Sequence, residues 1–196
     1  MQLSWAGYTL IIVIIALGIV TLLKTVTPGL KCLEGPKGET YCVRERVGLE
    51  VSVKRLAQTK SMLKALVEKC ASSHPDLSVT TRMVDNFDDS VLSETSLSSS
   101  QVAYSENKGD KIALCLDVER DGGGPIDDNT LTFVALHELA HVGTKSSGHT
   151  TEFWDNFRFI LDRAVEAGFY SPVDYSKSPV RYCGTMITHN PYYDSK

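Results

Sequence analysis

Residues 129–154 read NTLTFVALHELAHVGTKSSGHTTEFW, and the fold and chemistry of the chain are read outward from them. His137, Glu138 and His141 form His-Glu-x-x-His inside an apolar run. On a helix that spacing brings both imidazoles onto one face, four residues apart, so that they can hold a single metal ion. Glu138 stands beside the first histidine, within reach of a water at such an ion. A hydrolytic zinc site needs three protein ligands and one open position, so a third ligand is expected. His149 is the natural choice, delivered by a turn through residues 142–148, with Gly143 expected as the residue that stops the helix. If His149 does not serve, Glu152, Asp155 or Glu166 offers a carboxylate.

The motif His-Glu-Leu-Ala-His followed by Ser-Gly-His-Thr-Thr-Glu-Phe-Trp resembles the core of the WLM and SprT-like zinc metallopeptidases, over about residues 131–157. Seven residues separate His141 from His149, where the WLM pattern has about five. The resemblance implies a zincin-like α+β domain, a small mixed or antiparallel sheet with an active-site helix. It also implies Zn2+ held by His137, His141 and His149, with Glu138 as general base and a protein or peptide as substrate. By the same resemblance one strand of that sheet, expected within residues 112–118, lies beside the cleft and aligns an extended substrate. Tyr182, Tyr175 and His189 are candidates for steadying an oxyanion, and nothing in the sequence selects among them.

Residues 5–23 carry no charge, enough at about 1.5 Å per helical residue to cross a bilayer core, so one N-terminal transmembrane helix is expected. The organisation expected is an anchor over 1–24, a juxtamembrane linker over 25–45 rich in glycine and proline, and a catalytic domain over 46–196. Lys24, Lys31 and Lys37 follow the span, which places the domain on the cytoplasmic side. Formal charge is −4 over the chain. No basic patch offers an electrostatic footprint for nucleic acid, which counts against a DNA-associated protease of the kind best known among the relatives. Five cysteines with no Cys-x-x-Cys pair argue against a thiolate zinc site. Cys32 and Cys42 could bridge in an oxidising compartment, or stay free in a reducing one.

Leu49, Leu56, Leu63 and Cys70 recur at sevenfold spacing with Val53, Leu66 and Val67 beside them, the pattern of an amphipathic scaffold helix. Residues 77–87 are expected as a strand, 101–105 and 111–118 as a β-hairpin, and 121–125 as a loop. Asp127, Asp128 or Asn129 is expected to cap the active-site helix and Thr150 the next one. The function expected is thus a membrane-anchored zinc metallopeptidase. The alternative is a structural or assembly protein, for instance of a virion membrane, that keeps the same fold for binding.

Overall fold

The computed structural model describes residues 29–87 and 91–194, together with Trp5, Ile11, Ile12 and Ile14. The nine strands among the described residues, named in chain order, are β1 (Leu30–Glu34), β2 (Thr40–Arg44), β3 (Leu92–Glu94), β4 (Ala103–Glu106), β5 (Lys111–Leu114), β6 (Asp117–Glu119), β7 (Gly122–Pro125), β8 (Val180–Tyr182) and β9 (Thr185–Ile187). Within residues 29–87 and 91–194 four α-helices accompany them: α1 (Leu49–Ser73), α2 (Ser78–Asn86), α3 (Asp128–Gly143) and α4 (Thr151–Glu166).

Five strands form one sheet in the order β1-β2-β3-β5-β4, with the two inner pairings parallel and the two outer ones antiparallel. The heptad-like stripe expected of residues 49–70 is the buried face of α1, where Val53, Leu56, Leu63, Leu66, Val67 and Cys70 are all buried. That face packs on β2 and β3, while α3 packs on β4 and β5 and against α1. Apolar side chains removed from water in this way are the main stabilising term of the domain. They form one continuous core.

The fold class expected from the sequence needs correction. The structure is a mixed α+β fold, and no helix among the described residues is long and apolar enough to cross a membrane. The helix expected over 5–23 lies outside the described residues except for Trp5, Ile11, Ile12 and Ile14. The stretch expected as linker holds a β-hairpin joined to the main sheet, because its glycines and prolines punctuate strands instead of replacing them. Residues 35–38 make the turn, and Tyr41 and Val43 of β2 point into the core. Residues 78–86 are a helix, not a strand. Val79, Thr80 and Met83 fill one side of it against α1 and α3, and that burial outweighs the β-propensity of valine and threonine. Gly122–Pro125 pairs with β6 as a short strand where a loop was expected.

Four of the five cysteines pair, Cys32 with Cys42 and Cys115 with Cys183, and Cys70 is buried and free. Cys32 and Cys42 face each other across β1 and β2. Cys115, just past β5, holds the β8–β9 hairpin to the sheet. Beside this second bridge lies a buried charge cluster. Arg44 donates to the Thr95 carbonyl at 2.7 Å and its backbone N–H to Glu94 at 2.8 Å, while Arg46 pairs with Glu94 at 2.5 Å and also with Asp117. Burial raises the Glu94 carboxyl, an effect that the Arg44 backbone N–H and the two guanidiniums only partly offset.

Candidate metal centre

Asp127 caps α3, its side chain accepting the Thr130 N–H at 2.8 Å, and the helix runs to Gly143. Of the three caps left open by the sequence, this is the one the structure uses. Within α3 the four-residue spacing puts the His137 and His141 rings 5.0 Å apart on the side facing α4. Gly143 does not stop the helix through a left-handed turn, as expected. A Cβ there would meet Val79 Cγ2 at 2.8 Å and Met83 Cγ at 3.1 Å, so glycine lets α2 approach.

The loop after α3 is tied at several points. Lys108, at the tip of the β4–β5 hairpin, donates from Nζ to the carbonyls of Thr144 at 2.9 Å and Ser146 at 2.7 Å. The Glu152 carboxylate accepts the N–H groups of Lys145 and Ser146, so it is engaged in the loop and not aimed at the imidazoles. Thr150 caps α4 through the Phe153 N–H, as expected. Gly148, at φ +76°, supplies the turn that a side chain rarely adopts, and His149 follows it. Its Nε2 reaches His137 Nε2 at 3.0 Å, and its ring centroid lies 5.0 Å from that of His141.

The three histidines therefore converge, each offering a ring nitrogen, with these atoms all within 4.8 Å of one another. Nitrogens on a tetrahedral zinc at about 2.1 Å stand about 3.4 Å apart, so modest closure would suit such an ion. The donors also fit in charge state. Burial, then the neighbouring imidazoles, pushes His137 down to about 3, and burial with His149 and Lys108 pushes His141 down to about 4. Both are neutral at pH 7 and present lone pairs, as ligation requires. Aromatic rings hold them in place: Phe153 stacks on His141 at 4.3 Å and Trp154 on His149 at 5.5 Å. Asp155 and Glu166, the other carboxylates considered from sequence, are not in the cluster, and Glu166 pairs with Arg163 at 2.5 Å.

Glu138 is only 4% exposed, and burial pushes its carboxyl up to about 8. With His137 it lines two adjoining cavities, of about 300 Å³ and about 540 Å³. Tyr182 and His189 line the smaller one, whereas Tyr175 lines neither and is packed edge-on behind Phe133. Tyr182 is 2% exposed, and its hydroxyl accepts the Cys115 N–H at 2.9 Å. His189 bonds Asp194 at 2.9 Å and packs edge-on against Trp154. The strand beside the cleft is β4, the sheet's edge, and not Ile112–Leu114 as expected, which lies between β3 and β4.

No family model matches the chain, and no solved structure matches it. The zincin-like classification is accordingly replaced by the plainer mixed α+β fold, and the WLM and SprT-like resemblance rests on the motif residues. Three curated viral proteins are similar to parts of the chain. An uncharacterized protein of Acanthamoeba polyphaga mimivirus is 38% identical over 85 residues, 43% of this chain and 43% of that protein. One from Invertebrate iridescent virus 6 is 36% identical over 81 residues, 41% of this chain and 45% of the relative. A third, from Invertebrate iridescent virus 3, is 50% identical over 46 residues, 24% of this chain and 29% of the relative. The chain thus spans less than half the length of each relative it matches.

Proposed function

We propose that this chain is a zinc-dependent peptidase in which His137, His141 and His149 hold the ion and Glu138 is the general base. The observation that carries the reading is the convergence of three imidazoles on one point, beside a buried carboxyl and an open cleft. A zinc ion held there would supply Lewis acidity, acidifying a water molecule and polarising a peptide carbonyl.

Glu138 takes the proton from the attacking water and passes it to the leaving amine. Without a cation its carboxyl stays protonated to about pH 8. A positive charge at the imidazoles favours the ionised form, so the base becomes competent when the site is loaded. Tyr182, its oxygen already accepting the Cys115 N–H, turns its own proton toward the cavity and steadies the developing oxyanion.

The free edge of β4 aligns the substrate. The Cys115 N–H, shared with the Tyr182 hydroxyl, also donates to the Val102 carbonyl, so by strand alternation Tyr104 directs its backbone groups to β5, while Ala103 and Ser105 direct theirs outward along the cleft. An extended peptide can pair with those two residues. Two disulfides favour action in an oxidising compartment rather than on the cytoplasmic side expected from the lysine bias.

The test is hydrolysis of casein or mixed peptides by the zinc-loaded full chain, with and without chelator. Chelation abolishes cleavage, and Glu138→Gln keeps its zinc while losing at least about a hundredfold in rate. Stoichiometric zinc with no hydrolysis in any condition would refute the peptidase and favour a structural or assembly role.

A further inference from the structure

β8 and β9, three residues each, pair only with one another among the described residues. A two-stranded hairpin that stands alone is marginally stable in water, so its position is set by what ties it down. The Cys183 and Gly184 N–H groups donate to the carbonyls of Asp117 and Val118 at 3.1 Å and 2.9 Å. The Tyr182 hydroxyl accepts the Cys115 N–H, and the Cys115–Cys183 bond ties the turn covalently to the end of β5. Yet this hairpin supplies Tyr182, Thr185 and Ile187 to the wall of the cavity that Glu138 and His137 also line. The shape of the site therefore depends on a small element with few ties.

Cys183 and Gly184 are the central residues of the β8–β9 turn, at φ +50° and +78°. Hairpin turns with both central φ positive usually carry asparagine or aspartate before the glycine. A cysteine is held there in the left-handed region that its side chain disfavours, a state that persists only where the surroundings fix it. The turn does not call for cysteine; the bond to Cys115 does. The two buried sulfurs also have a charged neighbour. A guanidinium N–H of Arg44 is directed at Cys115 Sγ at 3.6 Å and at Cys183 Sγ at 4.0 Å. A cation beside a thiol favours the thiolate, the form that attacks a disulfide on oxidation and departs on reduction. Arg44 also faces Glu94 and Asp117 at 3.4 Å and 3.7 Å, and Arg46 pairs with the same carboxylates, so the cluster sets two cations against two anions while the donor turned to sulfur is a cation.

We infer that the Cys115–Cys183 bond is a redox switch on the site: the chain is idle while both cysteines are thiols and becomes active when oxidation closes the bond. This rests on the peptidase reading above and names its regulation. In closing, the two thiols pass two electrons and two protons to a small disulfide such as oxidised glutathione, which leaves as two thiols, and one Sγ–Sγ bond forms. The step draws Cys183 to the end of β5, sets Tyr182 against Cys115 and completes the cavity wall. A peptidase made in a reducing compartment is thereby kept idle until it reaches an oxidising one. Cys32–Cys42 is the internal comparison. It lies at the sheet edge opposite β4, with Cys32 exposed, so a reductant reaches it more easily while the cavity wall does not depend on it.

The experiment uses the zinc-loaded full chain carrying Cys32→Ala/Cys42→Ala, so that Cys115–Cys183 is the bond left to reduce. A phosphine serves as reductant, and alkylation followed by intact mass counts the thiols above the constant contribution of Cys70. Reduction is expected to slow casein cleavage by about 100-fold, the scale of misplaced groups at a reacting centre, with zinc content unchanged, and oxidised glutathione restores the rate. Full rate with the bond reduced overturns the inference and leaves the peptidase reading standing. Loss of zinc in step with the rate also overturns it, since the bond would then support the metal loop. A bond that stays closed in the native chain under excess phosphine is a staple and not a switch, and overturns it too. If the oxidised chain cuts nothing, the peptidase reading falls and hydrogen exchange decides the switch. On reduction the amides of residues 180–187 are expected to exchange at least about tenfold faster while those of 137–149 keep their rates. Unchanged exchange over 180–187, or faster exchange throughout the chain, overturns it.

Discussion

His149 Nε2 stands 3.0 Å from His137 Nε2 although twelve residues separate the two in the chain. Two imidazole nitrogens at that distance can share one proton or one cation. The surrounding structure reads as apparatus for holding them there: a glycine turn before His149, the Thr150 cap after it, and stacked Phe153 and Trp154.

Stability of the metal-free chain should depend on pH in a way that reports on the site. His137 and His141 are lowered to about 3 and about 4 from 6.5, so below pH 6.5 the unfolded chain binds more protons and stability falls as pH drops. Glu138 is raised to about 8 from 4.5, so between those values the folded chain binds the extra proton and stability falls as pH rises. Below 6.5 two histidines oppose one carboxyl, and above it the carboxyl acts alone. The urea midpoint of chelated protein should peak near 6.5, with Glu138→Gln abolishing the decline from 6.5 to 8. A wild-type midpoint that is level across that interval would contradict burial of the carboxyl.

Lys108 should govern metal affinity without touching the metal. Its two bonds to Thr144 and Ser146 fix the loop that carries His149. Lys108→Met is expected to weaken zinc binding by about tenfold, the scale typical of groups that orient ligands, as read by competition with a chelator. Unchanged affinity would show that the loop holds itself.

How far the sequence disclosed all this varies with how local each signal is. The helix α3, the Thr150 cap and the β4–β5 hairpin were legible because caps, turn residues and the histidine spacing lie within a few positions of one another. The pairing of Arg44 and Arg46 with Glu94 and Asp117 was not, since the partners are about 50 and about 70 residues apart and look like ordinary surface charges. β7 was hidden for another reason: three glycines carry no side-chain pattern, and the strand exists only through backbone pairing with β6. The placing of Tyr182 against Cys115 was hidden likewise, since it goes with the Cys115–Cys183 bridge, a contact across 68 residues that no spacing announces.

That bridge should matter for both stability and turnover. Loop-closure entropy assigns about 4 kcal/mol to a link spanning 68 residues and about 3 kcal/mol to the ten-residue link between Cys32 and Cys42. The Cys115→Ala/Cys183→Ala pair should therefore lower the denaturation midpoint more than Cys32→Ala/Cys42→Ala. It alone should also slow peptide cleavage, because it frees the hairpin bearing Tyr182. Equal effects of the two pairs on cleavage would detach the hairpin from the chemistry.

Zinc content of the purified full chain, compared with that of His149→Ala, tests the central claim most directly. The account predicts about one ion per wild-type chain and almost none in the variant, since His137 and His141 alone leave the site a ligand short. A wild-type chain that binds no zinc, or a variant that keeps a full equivalent, would contradict it.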